Sequence, residues 1–133
     1  MPTTGVTLMP KAPESLAGLS LEWTGVHHSR DGDFGEISTH TVTYETETTD
    51  YVTAFGKFVG QGTYEYTKLD DQIGVVIYKP ELYRGRPSVT LHAIFDFIEG
   101  TDRAVLEYEG QVFAVAEGKF REVPTPPRVK VSG

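Results

Sequence analysis

The sequence predicts an all-β protein, a single up-and-down antiparallel β-barrel of about eight strands. Two observations carry that reading. Between Gly60 and Glu117, five alternating or apolar runs follow one another, and each join carries a turn signal. Elsewhere helical periodicity is nearly absent, while short strand-like runs continue on both sides of this meander. A β-sandwich is the alternative architecture. The barrel is preferred because the connections look short and sequential, and because closure leaves no exposed strand edge.

Residues 1–14 hold three prolines and no periodic pattern, and read as a flexible N-terminal arm. Ser15-Leu16-Ala17-Gly18 reads as one helical turn closing an end of the barrel. Leu19 to Gly25 is a short strand with Leu19, Leu21 and Trp23 on one face. Val26 to Gly35 is polar, with two glycines and two aspartates, and is expected to be a loop. Ser38 to Thr48 is a threonine-rich strand with His40, Val42, Tyr44 and Thr46 in phase. Tyr51 to Val59 is read as one further strand. Gly56, Gly60 and Gly62 then predict sharp bends or a bulge.

Within the meander, Thr63 to Leu69 alternates Tyr64 and Tyr66 against Thr63, Glu65 and Thr67. Asp70-Asp71-Gln72 interrupts it, since aspartate side chains bond their own backbone in turns. Ile73 to Tyr78 has β-branched residues at four of six positions, which suits a pleated surface. Lys79-Pro80 stops that strand. After the loop Glu81 to Pro87 comes the strongest run. Val89, Leu91, Ala93, Phe95 and Phe97 form an apolar face expected to point inward, with His92 and Asp96 outward. Turns at Glu99–Asp102 and Glu109-Gly110 separate two more strands, and Glu117-Gly118 is a candidate bulge or break before Lys119 to Val123. Pro124, Pro126 and Pro127 end the fold. The barrel domain is therefore expected over 15–124, with a C-terminal tail over 125–133.

Composition narrows the function classes. A chain of 133 residues suffices for one domain with its own core. The formal charge of −7 argues against binding nucleic acid, whose phosphates need clustered Lys and Arg, and against docking on an anionic membrane. No apolar run approaches a membrane-spanning helix, and the N-terminus lacks a secretory pattern. The absence of cysteine excludes disulfides and thiolate chemistry and fits a cytoplasmic protein.

From Gly62 the pattern continues through Tyr64, Tyr66, Leu69, Asp71, Ile73, Val76, Tyr78 and Pro80 to an apolar strand ending Phe95-Asp96-Phe97. In these residues the chain resembles calycin-like small barrels, above all the family named for molybdenum-cofactor-biosynthesis protein F, with the lipocalins more distant. The lipocalin Gly-x-Trp signature is absent, since Leu21-Glu22 precedes Trp23. The resemblance implies a closed antiparallel barrel with a ligand cavity, and no catalytic residue is carried over from it.

The residues themselves offer a few constellations. Trp23 is either a core plug or a pocket wall with its indole N–H aimed at a ligand. Tyr44, Tyr64, Tyr66 and Tyr78 lie on expected strands. Facing inward they would make an amphipathic pocket for an aromatic or polyketide-like molecule; facing outward they are ordinary strand tyrosines. His40, in phase with Tyr44, is either a core histidine or a proton acceptor in that pocket. Arg84 and Arg86 either grip a carboxylate bidentately or pair with the protein's excess acid. His27 and His28 point to opposite sides of an extended segment, and no spacing matches a zinc pattern, so no metal is expected. No nucleophile elbow or phosphate-binding glycine loop is present, and no cofactor is expected.

Two functions remain open. One is a cytoplasmic protein that binds a small apolar or aromatic molecule at Trp23, His40, Tyr44, Tyr64, Tyr66, Tyr78, Arg84 and Arg86. The other is a cofactor-independent isomerase, cyclase or lyase acting on an aromatic or polyketide-like substrate in the same cavity. Ile94, apolar among outward residues, predicts a homodimer through the barrel walls.

Overall fold

Eight strands run in sequence order around one closed barrel: β1 (Ser20–Ser29), β2 (Ser38–Tyr44), β3 (Thr49–Ala54), β4 (Lys57–Lys68), β5 (Ile73–Pro80), β6 (Val89–Asp96), β7 (Thr101–Tyr108) and β8 (Gln111–Val123). The structure, a computed structural model, describes residues 11–29, 37–83 and 86–126. Each strand pairs antiparallel with the next, and β1 closes the circle by pairing with β8 over ten residue pairs, from Ser20–Val123 to Ser29–Ala114. Closure rules out the sandwich. No helix occurs among the described residues; Leu16 to Leu19 form a single turn closed by the Leu19 N–H on the Leu16 carbonyl at 3.0 Å.

The inward and outward faces follow the alternation of the sequence. Val89, Ala93, Phe95 and Phe97 are buried and Leu91 is half-buried, while Ile94 is exposed. The same core includes Leu21 and Trp23 of β1, Tyr44 of β2, Val76 of β5, Ala104 and Leu106 of β7, and Ala114, Ala116 and Phe120 of β8. The inward positions Ala104 of β7 and Ala114 and Ala116 of β8 are small, which leaves room inside.

Three expectations need correction. Val26 to Ser29 are not loop: they continue β1, paired with Ala114 to Glu117 of β8. The ladder offered by a thirteen-residue β8 outweighs the local polarity of the segment. Tyr51 to Val59 is not one strand. It turns tightly at Phe55-Gly56, whose φ values of 54° and 77° are those of a type I′ hairpin, and the glycine-rich stretch begins β4. A register shift lies in this hairpin between Val52 and Thr53. Gly118 does not break β8, which is continuous through Val123. Instead its missing side chain makes room for Trp23: a Cβ there would stand 2.7 Å from the indole nitrogen.

Alternating strand directions place the β1–β2, β3–β4, β5–β6 and β7–β8 connections at one end, the mouth. The other end is covered by residues 11–18, four of which belong to the expected arm. The Ala12 N–H donates to the Asp71 carbonyl at 2.6 Å and the Gly18 N–H to the Tyr44 carbonyl at 2.7 Å. The Tyr66 hydroxyl donates to the Pro13 carbonyl at 2.7 Å, and Lys68 pairs with Glu14 at 2.7 Å. Ala12 and Leu16 are fully buried by this crossing. Residues 1–10 lie outside the described residues. After β8 the chain runs along the outer wall, where the Pro126 carbonyl accepts from the Tyr51 hydroxyl at 2.8 Å and Thr125 meets Ser20 at 3.0 Å.

Candidate ligand cavity

The barrel encloses a cavity of about 670 Å³ that opens at the mouth. That volume suits an organic molecule of drug-like size. Its walls are mainly apolar and aromatic: Leu21 and Trp23 from β1, Val42 and Tyr44 from β2, Val76 and Tyr78 from β5, Leu91, Ala93 and Phe95 from β6. Leu82 and Val59 at the mouth are largely exposed, so the entrance is apolar as well.

A small set of polar groups is placed within this shell. The Trp23 indole crosses over Gly118 and donates to Asp102 Oδ1 at 2.6 Å. Asp102 sits on β7 opposite Gly118, so the long reach from β1 depends on the glycine between them. Burial pushes the Asp102 carboxyl up to about 6, with the indole bond pulling the other way. The Trp23 ring also touches His27 edge-on, with centroids 5.4 Å apart, and His40 at 5.1 Å. His40 is pushed down to about 4, first by burial and then by the nearby His27, so it is a neutral imidazole at physiological pH. His27 Nε2 lies 2.8 Å from the Tyr83 hydroxyl, which ties β1 to the β5–β6 loop across the mouth.

A second polar locus lies beside the cavity. Asp50 is on the inward face of β3, in phase with the lining residues Val52 and Ala54, opposite Tyr44 of β2 and Gly62 of β4. It is 2% exposed, and neither carboxylate oxygen has a hydrogen-bond partner. The Gly62 N–H faces it without reaching hydrogen-bond geometry. Burial, and then the charge of Glu45, push its carboxyl up to about 7. Its charge in turn adds to the burial that raises the phenols of Tyr44, Tyr64 and Tyr78.

Of the residues expected at the site, Trp23, His40, Tyr44 and Tyr78 come together on the cavity wall. Tyr64 stands behind Tyr44, with centroids 4.7 Å apart, and its hydroxyl donates to the Thr46 carbonyl. Tyr66 belongs to the covered end, packed edge-on against Phe97 and bonded to Pro13. Arg86 lies over the rings of Tyr108 and Phe113, its guanidinium carbon 5.3 and 5.0 Å from their centroids, and is exposed. Arg84 lies outside the described residues. The sequence reading missed His27, Tyr83, Asp50 and Asp102. His27 was hidden by the expected loop, and Asp102 by a turn that ends two residues earlier than expected. Asp50 had no signal in the sequence beyond its place before an alternating run. Among the described residues no cluster of three or more His, Asp or Glu is placed to hold a metal ion.

No protein-family model matches the chain, and no curated protein matches it. A solved structure does. The chain is similar to the crystal structure described as "a putative beta-lactamase from Burkholderia vietnamiensis", at 18% identity and a TM-score of 0.56, over 85% of this chain and 99% of that one. At that identity the likeness shows a shared barrel fold and nothing of the activity. No helix of the described residues is long and apolar enough to cross a membrane.

Proposed function

We propose that this protein is a binding barrel for a small apolar or aromatic molecule held between Trp23, His40, Tyr44, Tyr78 and Leu91. The observation that carries this is the cavity itself: about 670 Å³ of space with apolar walls, an apolar entrance and a few buried polar groups. A barrel built only for its own stability would fill that volume with side chains, because unfilled space forfeits packing contacts. The calycin-like affiliation and a cytoplasmic location belong to the same reading. So does a homodimer through the outer wall, supported by Ile94, Val105 and Val115, all exposed on β6, β7 and β8. The test is native mass spectrometry of protein purified gently from its source: a retained small molecule, lost on denaturation, is expected. Repeated recovery of ligand-free protein, together with no binding across a library of apolar and aromatic compounds, would refute it.

One observation favours a catalytic reading of the same cavity. Asp102, raised to about 6, and neutral His40 line one chamber, and both contact or approach the Trp23 ring. A carboxyl raised to about 6 beside an imidazole kept in its neutral form gives a proton donor and an acceptor, which a cofactor-independent isomerisation, cyclisation or elimination needs. The two readings part at Asp102→Asn, which keeps an acceptor for the indole. An enzyme would lose turnover while retaining ligand; a carrier would change only in affinity.

A further inference from the structure

The charges facing the cavity are of one sign. Asp102 lines it directly, and its second oxygen has no partner among the described residues. Asp50 is not part of the lining but lies behind it, paired across the ladder with the lining residue Tyr44, buried and with both oxygens unpartnered. The described lining includes no lysine or arginine. Lys68, inward by phase, is committed at the covered end to Glu14 and Asp71, and Arg86 is outside on Tyr108 and Phe113. The remaining polar side chains of the lining are uncharged or imidazole: His27, Ser38, His40, Tyr44, Tyr78 and Tyr83, beside the Trp23 indole. Native proteins rarely keep a buried carboxyl without a donor, since the lost hydration is uncompensated. Asp50 is such a group, and Asp102 has only the Trp23 indole as donor among the described residues; the Tyr44 phenol feels both charges.

Resting on the reading of the cavity as a binding site, we propose that its ligand is an amine: a protonated nitrogen on an apolar or aromatic body, with Asp102 as counter-ion and Asp50 as the second negative group beside it. Such a ligand supplies what the interior lacks, a cation with several N–H donors. The aromatic faces of Trp23, Tyr44 and Tyr78 add attraction for the same cation, which strengthens where water is excluded. A carboxylate ligand would meet two like charges and find no fixed cation in the described lining.

A matched series decides it. Calorimetry at pH 8, where both aspartates are ionised and an alkylamine is protonated, compares tryptamine, the neutral alcohol tryptophol and indole propionate. Tryptamine is expected to bind at least tenfold more tightly than tryptophol, with indole propionate weakest. Asp102→Asn and Asp50→Asn, each neutral and nearly isosteric, should bring the tryptamine-to-tryptophol ratio down toward one, with tryptamine losing more affinity than tryptophol. The ranking in the unmodified protein stands as a test even where one variant fails to fold. Tryptophol binding with no preference for tryptamine, or a preference that survives both substitutions, would overturn the amine assignment and leave the binding barrel intact. If none of the three compounds binds, both the assignment and the binding reading fall.

Discussion

Asp50 is the residue whose behaviour most separates this protein from a well-packed scaffold. An aspartate has an ordinary pKa near 3.8, and burial raises this one to about 7 in the fold. Between those values the folded protein holds a proton that the unfolded chain has released, so stability falls as pH rises through the window. The cost is absent below about pH 4 and complete above about pH 7. Asp102, raised to about 6, acts in the same direction over a narrower window. His40 opposes them: lowered to about 4 from 6.5, it costs stability as pH falls through that interval, because the unfolded imidazole takes a proton the buried one refuses. The three partly cancel in the unmodified protein. Asp50→Asn isolates one of them. Its melting temperature should exceed the parent's at pH 8, by an amount that shrinks toward zero near pH 4. An equal effect at both pH values would mean that Asp50 is not a desolvated carboxyl.

Among the elements, β6 was the most legible. Its five-residue apolar face was evident from alternation alone, and the structure buries Val89, Ala93, Phe95 and Phe97 as expected. Alternation cannot say which inward residues meet packed neighbours and which meet empty space, because that depends on what the facing strands contribute. Phe95 packs on Phe97 and Phe120, at centroid distances of 5.6 and 5.0 Å. Both residues border the cavity, but Phe95 is buried between those two rings, whereas Leu91 is only half-buried. Phe95→Ala should therefore cost about 3–5 kcal/mol in urea denaturation. Leu91→Ala should cost less than half as much, since one side of it is already unpacked, and Ile94→Ala on the outer face should stay within about 0.5 kcal/mol. Equal losses at Phe95 and Leu91 would mean that the cavity is filled. β1 was the least legible element. Nothing in Val-His-His-Ser announces a strand, and its pairing with β8 is a contact between the two ends of the barrel. Such long-range ladders override local composition, and they carried His27 into the site unnoticed. Phe55 is a smaller case: a bulky residue at positive φ, 95% exposed, in a turn where glycine or asparagine is the usual choice.

At the scale of the whole molecule, eight strands, their order and their faces could be argued from turns and alternation. Cavity and charge could not. The interior volume is a balance between small residues on β7 and β8 and large ones on β5 and β6, and the solitary negative charges inside it come from strands far apart in sequence. The outer wall is the other global feature. Ile94, Val105 and Val115 expose apolar area on three adjacent strands, and a two-fold pair across them is expected by sedimentation at micromolar concentration. Val105→Lys should return a monomer with an unchanged melting profile, whereas a monomer throughout for the unmodified protein would remove that expectation.

Trp23, the lone tryptophan, lines the cavity and therefore reports directly on whether the barrel interior admits a ligand. Titration with a neutral naphthylamine dye should quench Trp23 fluorescence saturably at one dye per chain. Ala104→Phe, which fills the space beside Asp102, should abolish the quenching while leaving the fold intact by circular dichroism. Quenching that never saturates, or that persists undiminished in Ala104→Phe, would contradict a cavity that binds.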